Sequence, residues 1–378
     1  MQHNTRICIY STLLLTETWY NNIKEKRGGI ILKDTKFHEN GTLPFPQQRL
    51  EWYLNVGKEA IKRPYNKIKN CEKNNPYGLI TLSEAVGIVF DTDFPGTTPN
   101  DPLYYTYMNA AKSNGINLEH MYNWQLYKQI YKFSDELVEV LQKDTDDKVL
   151  PIRAISDNLP YPAFFIDNII KGTDGIEYRG VFVSLELSRE NRPELSLFFL
   201  ENTPESDYRY CFIPLYYDDK SLEDIYKERD KEFDINPDLP ELMRKEVSEL
   251  VRLTMPLIVY ICSQDAEIER IKINATATKL ANKKKSQQKK KTVNKNLVGY
   301  RLGNQIKHAK KIYLSNKSNS TGTGTSKVPH IRRGHYHSYW TGSRSEPEKR
   351  KLIIKYLPPI YVNKDISEKL IPTVHEVK

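Results

Sequence analysis

Four apolar and aromatic runs decide the fold of this chain: YPAFFID at 161–167, YRGVFVSLELS at 178–188, ELSLFFLE at 194–201 and YRYCFIPLYY at 208–217. Clusters of Gly, Asp, Asn and Pro, such as KGTDG and RENRPE, separate the runs. Short runs of β-branched and aromatic residues between such turn signals are typical of strands. The stretch therefore predicts an antiparallel meander of about four strands.

The region before the meander predicts mainly helices. Large apolar residues recur every three or four positions over 47–63 and again over 118–142, which is the spacing of one helical face. We interpret both stripes as core packing. The first residues, MQHNTRICIYSTLLLTETWY at 1–20, have no small-residue cleavage pattern, and they predict a strand instead of a leader peptide.

The region after the meander predicts two helices, over 220–229 and 239–262, and Pro256 should kink or restart the second. Farther on, HIRRGHYHSYWTGSR at 330–344 and RKLIIKYL at 350–357 predict two strands of a β-hairpin joined by SEPEK. The whole pattern indicates an α+β protein. Its expected parts are a mainly helical N-terminal region (1–150), an antiparallel sheet with a long packed helix (151–270), a Lys-rich linker (271–295) and a basic C-terminal module with the hairpin (296–365).

Charge is distributed unevenly along the 378 residues, which carry 57 Lys and Arg against 48 Asp and Glu. From Arg270 to Arg344 there are 19 Lys and Arg and no acid, so the other 303 residues carry 38 basic and 48 acidic side chains. Such asymmetry favours a polyanionic partner, most often nucleic acid or the ribosome. The alternative is a solvated Lys-rich linker without a dedicated partner.

Several classes of protein are excluded or disfavoured. The longest apolar run, Leu253–Cys262, is far shorter than the roughly 20 residues of a membrane span, so no membrane association is expected. Four dispersed Cys without a CxxC pair favour a reducing cytoplasm over a disulfide scaffold or zinc ribbon. The segment SNKSNSTGTGTSK lacks the phosphate-loop order, and we expect no cofactor. Glu186, Glu190 and Glu194 lie around a turn, where we expect a solvated face.

One segment, 330–344, is dense in chemistry. Alternate residues of a strand share a face, so His335, His337 and Tyr339 should point one way and Tyr336, Ser338 and Trp340 the other. Three functional hypotheses follow. His330, His335 and His337 could ligate a metal such as zinc if a bulge at Gly334 restores the parity of His330. His335 and His337 could act as acid and base on RNA, with arginines holding the phosphate.

The third hypothesis is nucleic-acid binding without cleavage, with cations on phosphates and aromatic rings on bases. The alternative to all three is a small structural core of Tyr and Trp. We expect a non-enzyme or, failing that, a ribonuclease. The candidate binding residues are Arg332, Arg333, His335, Tyr336, His337, Tyr339, Trp340 and Arg344 in the hairpin segment, and Lys283, Lys284, Lys285, Lys289, Lys290 and Lys291 in the linker.

The order of motifs over about 160–365 resembles the type V-A anti-CRISPR family called AcrVA2-like. The succession runs GVFVSLEL, RPELSLFFL, PLYYDDKSLEDIY, LIVYICSQDAEI, LVGYRLGNQIKHAKK, then VPHIRRGHYHSYWTGSR and KLIIKYLPPIYVN. The specific part is the hairpin, and the chain departs from the pattern with Tyr336 and Tyr356, where many relatives carry Trp. The matching positions are His330, Arg332, Arg333, His335, His337, Trp340, Gly342, Arg344, Pro359 and Asn363.

The resemblance implies an anti-defence protein of a phage or other mobile element, acting in the cytoplasm of a bacterial host cell. It implies inhibition of a type V-A CRISPR system by lowering production of the effector nuclease through its transcript during translation. The implied partners are RNA or the ribosome-associated nascent chain, and the host effector or its messenger RNA. A His-dependent ribonuclease and a non-catalytic nucleic-acid-binding accessory protein stay open as alternatives.

Overall fold

The computed structural model describes most of the chain from residue 44 onward. The described residues are 44–56, 58–73, 75–143, 145–146, 150–172, 175–188, 190–201, 208–216, 220–235, 241–275, 291–319, 330–346 and 349–362. The strand expected near the N-terminus lies outside these residues.

Helices in the described ranges cover the segments expected at 47–63, 220–229 and 239–262, the first of them as two helices, and others are present besides; the segment 118–142 is discussed below. They are α1 (Phe45–Val56), α2 (Lys58–Asn70), α3 (Leu82–Asp93), α4 (Tyr104–Tyr127), α5 (Asp135–Lys143), α6 (Ile152–Asn158), α7 (Leu222–Ile235), α8 (Glu241–Ile261) and α9 (Tyr300–Asn319).

The strands are more numerous than the predicted meander and hairpin. They are β1 (Gln129–Phe133), β2 (Thr145–Asp146), β3 (Ala163–Ile166), β4 (Ile170–Lys171), β5 (Glu177–Leu187), β6 (Pro193–Glu201), β7 (Tyr208–Pro214), β8 (Ile268–Ala275), β9 (Lys291–Val298), β10 (His330–Arg332), β11 (Gly334–Thr341), β12 (Lys351–Leu357) and β13 (Ile360–Val362).

The predicted meander is confirmed as one half of a larger mixed sheet. The sheet has the order β7-β6-β5-β3-β1-β9-β8, and β4 also pairs with β5. Strands β3, β5, β6 and β7 pair antiparallel, and their register places Phe165, Phe182, Phe198 and Tyr210 in one row. All four rings are buried. The α+β class expected from sequence is therefore confirmed.

The helix predicted over 118–142 is wrong in its middle. Helix α4 ends at Tyr127 because Lys128 adopts a left-handed conformation with φ 50°. The N–H of Lys128 donates to the carbonyl of Trp124, closing the helix at 2.7 Å. The next five residues, QIYKF, form β1 inside the sheet before α5 begins. Sheet pairing outweighs helical spacing here, since a central strand bonds neighbours on both sides.

The chain divides into two compact units. The first comprises Met1–Ile130, Tyr161–Pro214 and Lys272–Lys295, and the second comprises Tyr131–Pro160, Leu215–Ile271 and Asn296–Lys378. In the first unit, α4 packs against the sheet and is buried on all sides over 115–124. Its side chains complete two apolar clusters, one with the sheet and one with α2 and α3.

In the second unit, α8 supplies the core. The helix continues through Pro256, and its last turns are buried, with Leu257, Ile258 and Val259 fully inaccessible. The amide of Gln142 on α5 donates to the carbonyl of Leu253 at 3.0 Å. No helix in the described ranges combines the length and the apolar character needed to cross a bilayer.

Glu186 contradicts the solvated face expected for the carboxylates around the turn. It is 2% exposed, and its Oε1 accepts the backbone N–H of Leu82 at 3.1 Å. Burial and the neighbouring carboxyl of Glu119 raise the pKa of Glu186 well above its ordinary value. The alternation of β5 turns Glu186 toward the interior, where it meets the polar residues of α4.

Candidate nucleic-acid interface

The predicted hairpin is confirmed, and so is the alternation of its side chains. Strands β11 and β12 pair antiparallel, with His337 opposite Lys355 and Tyr336 opposite Tyr356. Tyr336 is buried, whereas His335 and His337 are exposed. We call the exposed side the outward face of the hairpin; it consists of His335, His337, Tyr339, Thr341, Lys351, Ile353, Lys355 and Leu357.

The inward side attaches the hairpin to α8 through tyrosines. The ring of Tyr356 lies 5.1 Å from that of Tyr336 and 5.3 Å from that of Tyr260. The Tyr336 hydroxyl donates to the carbonyl of Pro256 at 3.2 Å. Asp265 Oδ1 accepts the backbone N–H of Tyr356 at 3.0 Å. The interior Pro of α8 thus coincides with the point where the hairpin attaches.

Removing the Tyr356 ring should destabilise the second unit far more than removing the Tyr336 hydroxyl. We expect Tyr356→Ala to lower the free energy of unfolding by about 3–5 kcal/mol, the usual cost of deleting a buried aromatic ring. Tyr336→Phe loses a single hydrogen bond, which should cost about 0.5–1.5 kcal/mol. Urea titrations of both variants measure the difference. Equal losses would contradict the described ring stack.

The outward face joins imidazoles, a phenol ring and ammonium groups. The Nε2 atoms of His335 and His337 lie 3.1 Å apart. The Lys355 ammonium lies over the Tyr339 ring, 5.5 Å from its centroid, and Tyr339 donates its hydroxyl proton to Gln264 Oε1 at 3.2 Å. Neither β11 nor β12 contains an Asp or Glu. The face is therefore cationic, with an aromatic ring held in a fixed orientation.

Trp340 was a candidate binding residue, with a place in a small core as the alternative, and its side chain is not buried. It is 43% exposed, and two guanidinium groups lie over its ring, 5.2 Å (Arg153) and 5.3 Å (Arg350) from the centroid. Arg153 comes from α6, which also bonds β12 through Asn158 Nδ2 and the carbonyl of Leu352 at 2.6 Å. No sequence pattern links Arg153 to the hairpin. Lys351 and Lys355 could have been found, since they alternate with the buried residues of β12.

The remaining candidates do not gather on this face. Strand β10, with His330 and Arg332, pairs with β13 in a separate two-stranded sheet. Arg332, Arg333 and Arg344 are exposed. Within the described ranges, no three His, Cys, Asp or Glu side chains are grouped to hold a metal.

The expected Lys-rich linker (271–295) lies only partly within the described residues. Strand β8 continues to Ala275 and β9 begins at Lys291, so both ends of the expected linker are strands. The residues between them, which include Lys283, Lys284, Lys285, Lys289 and Lys290, lie outside the described residues.

Part of the basic charge of the C-terminal third is compensated inside the second unit. Lys307 and Lys310 of α9 bond Glu136 and Glu139 of α5 at 2.7 and 3.0 Å. Counting charge along the sequence could not show this, because the acids lie about 170 positions away. The hairpin strands, which contain no Asp or Glu, are therefore a better candidate than α9 for contact with a polyanion.

A second polar cluster lies inside the first unit. His120 bonds Ser196 Oγ through Nε2 at 2.8 Å and lies 2.5 Å from Glu119 Oε2 through Nδ1. The Ser196 hydroxyl, the His120 imidazole and the Glu119 carboxylate are thus arranged in the sequence found in a catalytic triad. All three side chains are at most 1% exposed, so no substrate reaches them in this structure. The cluster is a structural network.

A known protein family matches the part of the chain that contains the hairpin and α8. The model of the AcrVA2-like family, described as the anti-CRISPR type V subtype A2 family, matches residues 131–364. The chain belongs to the AcrVA2-like family. The matched region contains β11, β12 and the whole of α8, so the outward face lies within the family's shared region.

A solved relative has the same fold. The crystal structure of AcrVA2 superimposes with a TM-score of 0.50 and 16% identity, over 83% of this chain and 99% of that one. At this identity the likeness shows a shared fold and no more. The chain matches no curated protein sequence.

Proposed function

We propose that this anti-CRISPR protein lowers the production of a type V-A effector nuclease by binding the effector's transcript through the outward face of the hairpin. The observation that carries the RNA contact is the exposed combination of Lys355 with Tyr339, beside an exposed imidazole pair. Family membership supports the anti-CRISPR part of the proposal.

The chemistry of the outward face suits a single-stranded nucleic acid. Lys351 and Lys355 are exposed on one strand, and they can neutralise backbone phosphates and release counterions. Tyr339 is 37% exposed on this face, which leaves ring surface for a base to stack. Single strands are the RNA form whose bases are free to stack on protein rings.

Reversing two charges on this face tests the proposal. We expect Lys351→Glu with Lys355→Glu to weaken binding of a single-stranded RNA by about tenfold or more. The salt dependence should also fall, by about 0.7 in the log–log slope for each lost phosphate contact. Fluorescence anisotropy over a salt series measures both. In cells with type V-A immunity, phage plaquing should decrease and the effector transcript should recover.

The matched control reverses the same amount of charge elsewhere. Lys62 and Lys69 are exposed on α2, so Lys62→Glu with Lys69→Glu keeps the net charge of the test variant. Equal weakening in both double variants would contradict a hairpin site. Full inhibition by a hairpin variant that no longer binds RNA would place recognition on the nascent polypeptide instead.

The imidazole pair favours one second candidate, a ribonuclease. Two exposed imidazoles 3.1 Å apart beside a lysine have the groups needed for acid–base cleavage of a phosphodiester. If the protein cleaves RNA, His335→Ala with His337→Ala should abolish cleavage and leave most of the binding. Intact RNA after prolonged incubation with the wild-type protein would exclude this candidate.

A further inference from the structure

We propose that His335 and His337 form a two-imidazole chelate for a divalent transition-metal ion of the zinc class. The proposal concerns the two imidazoles of β11 alone and does not depend on the proposed RNA contact. It also differs from the three-histidine site expected from sequence, because His330 belongs to another sheet.

The distance between the two nitrogens matches the bite of one metal ion. The Nε2 atoms lie 3.1 Å apart, and the rings are inclined by 61°. With metal–nitrogen bonds of about 2.0–2.1 Å, this separation gives an angle of about 100° at the metal. That angle lies between the right angle of an octahedral site and the tetrahedral angle. A metal could thus replace the contact between the imidazoles with little movement of either ring.

The backbone beneath the pair is fixed before any metal arrives. Strand β11 pairs with β12 along both histidines, and at His335 it also pairs with β2. His335 is in register with Leu357 on one side and Asp146 on the other. A ligand pair on a paired strand loses little conformational freedom when it binds, which favours chelation over binding to separate surface histidines.

The residues around the two imidazoles influence the affinity for the metal, and they leave coordination positions on the metal unfilled. Lys355, opposite His337, is a cation and opposes metal binding, although its ammonium lies over the Tyr339 ring. Both imidazoles must be neutral to bind, so affinity should fall as the pH is lowered. Two protein ligands leave the other coordination positions for water or a phosphate oxygen.

Titration of the full-length protein with zinc chloride tests the chelate. Isothermal titration calorimetry should show a site that His335→Ala or His337→Ala weakens by about tenfold or more, since either change removes half of the chelate. His308 is an exposed histidine of α9, so His308→Ala is the matched control and should leave this site unchanged. Nickel chloride, a second imidazole-binding ion, should give the same order of variants.

Two results would overturn the proposal. The first is an unchanged zinc titration in the His335→Ala/His337→Ala double variant. The second is a large loss for only one single variant, which would show binding to one imidazole. Both positions are exposed, and circular dichroism of each variant checks that the fold is retained. Because the titrant is the metal alone, failure here leaves the RNA proposal standing, and failure of RNA binding leaves this proposal standing.

Discussion

Gly180→Ala is expected to lower the free energy of unfolding of the first unit by about 3 kcal/mol or more. Gly180 lies in β5 at an irregularity in the pairing with β6. A Cβ at this position would overlap the carbonyl oxygen of Ile166 and the ring of Phe165. Both are buried in the sheet, so the backbone of β3 would have to move. Overpacking a rigid core usually costs about 1–3 kcal/mol, and a clash with backbone exceeds the typical case.

The same substitution at Gly87 should have the opposite sign. Gly87 is exposed in the interior of α3, and a Cβ there meets nothing within 4 Å. Alanine is favoured over glycine inside a helix by about 0.8–1.0 kcal/mol. Urea titrations of Gly180→Ala and Gly87→Ala therefore form a matched pair. A Gly180→Ala protein as stable as the wild type would contradict the close approach of β3 to β5.

The second large effect is a loss of stability with rising pH that depends on Glu186. This carboxyl is buried beside Glu119, and the fully buried ring of Tyr210 lies in the same cluster. The pair has few donors to share. Asn123 Nδ2 and Ser184 Oγ donate to Glu119 Oε1 at 2.6 and 3.2 Å. Burial and the neighbouring carboxyl therefore favour the protonated form of Glu186.

The sign follows from the raised pKa. The folded protein keeps a proton on Glu186 at pH values where the unfolded chain, with an ordinary pKa near 4.5, has released it. The contribution to stability is complete below the unfolded pKa and is lost as the pH rises through the folded pKa. Each tenfold difference in proton affinity corresponds to about 1.4 kcal/mol. We therefore expect the free energy of unfolding to fall as the pH rises above the unfolded pKa of 4.5.

Glu186→Gln isolates this contribution. Glutamine keeps an oxygen for the Leu82 N–H and adds donors, so the variant should lose less stability than the wild type as pH rises. Burial also raises the pKa values of Glu194 and Asp93, to about 7 and about 6. These groups make stability fall with rising pH in the same way, and they are present in both proteins. Glu72→Gln, at an exposed position, is the control. Parallel pH curves for the wild type and Glu186→Gln would refute the assignment.

The elements predicted well are those whose signal is local. The meander strands are bounded by turn residues, and their sequences either alternate apolar with polar residues or are apolar throughout. They could therefore be predicted without knowing which strands they pair with. Strand β1 shows the opposite case. Its five residues continue a helical spacing, and only the sheet partners on both sides make them a strand.

The candidate site likewise has features that local sequence predicted and features that depend on tertiary contacts. The parity of β11 placed His335 and His337 together on one face, as strand geometry requires. Trp340 was a candidate for base stacking, with a small structural core as the alternative; it is exposed, and the guanidinium groups of Arg153 and Arg350 lie over its ring. Glu186 was expected in water, yet it is buried because α4 covers that face of β5.

The sequence by itself determined the α+β class, the meander, the hairpin and the pairing of its two histidines, because each depends on residues only a few positions apart. The tertiary structure alone decided which charges are free and which are compensated. Lys307 and Lys310 meet acids from about 170 positions earlier, and Arg153 reaches Trp340 from another element. Electrostatic energy depends on distance and burial in space. Neither quantity can be read from the order of residues along the chain.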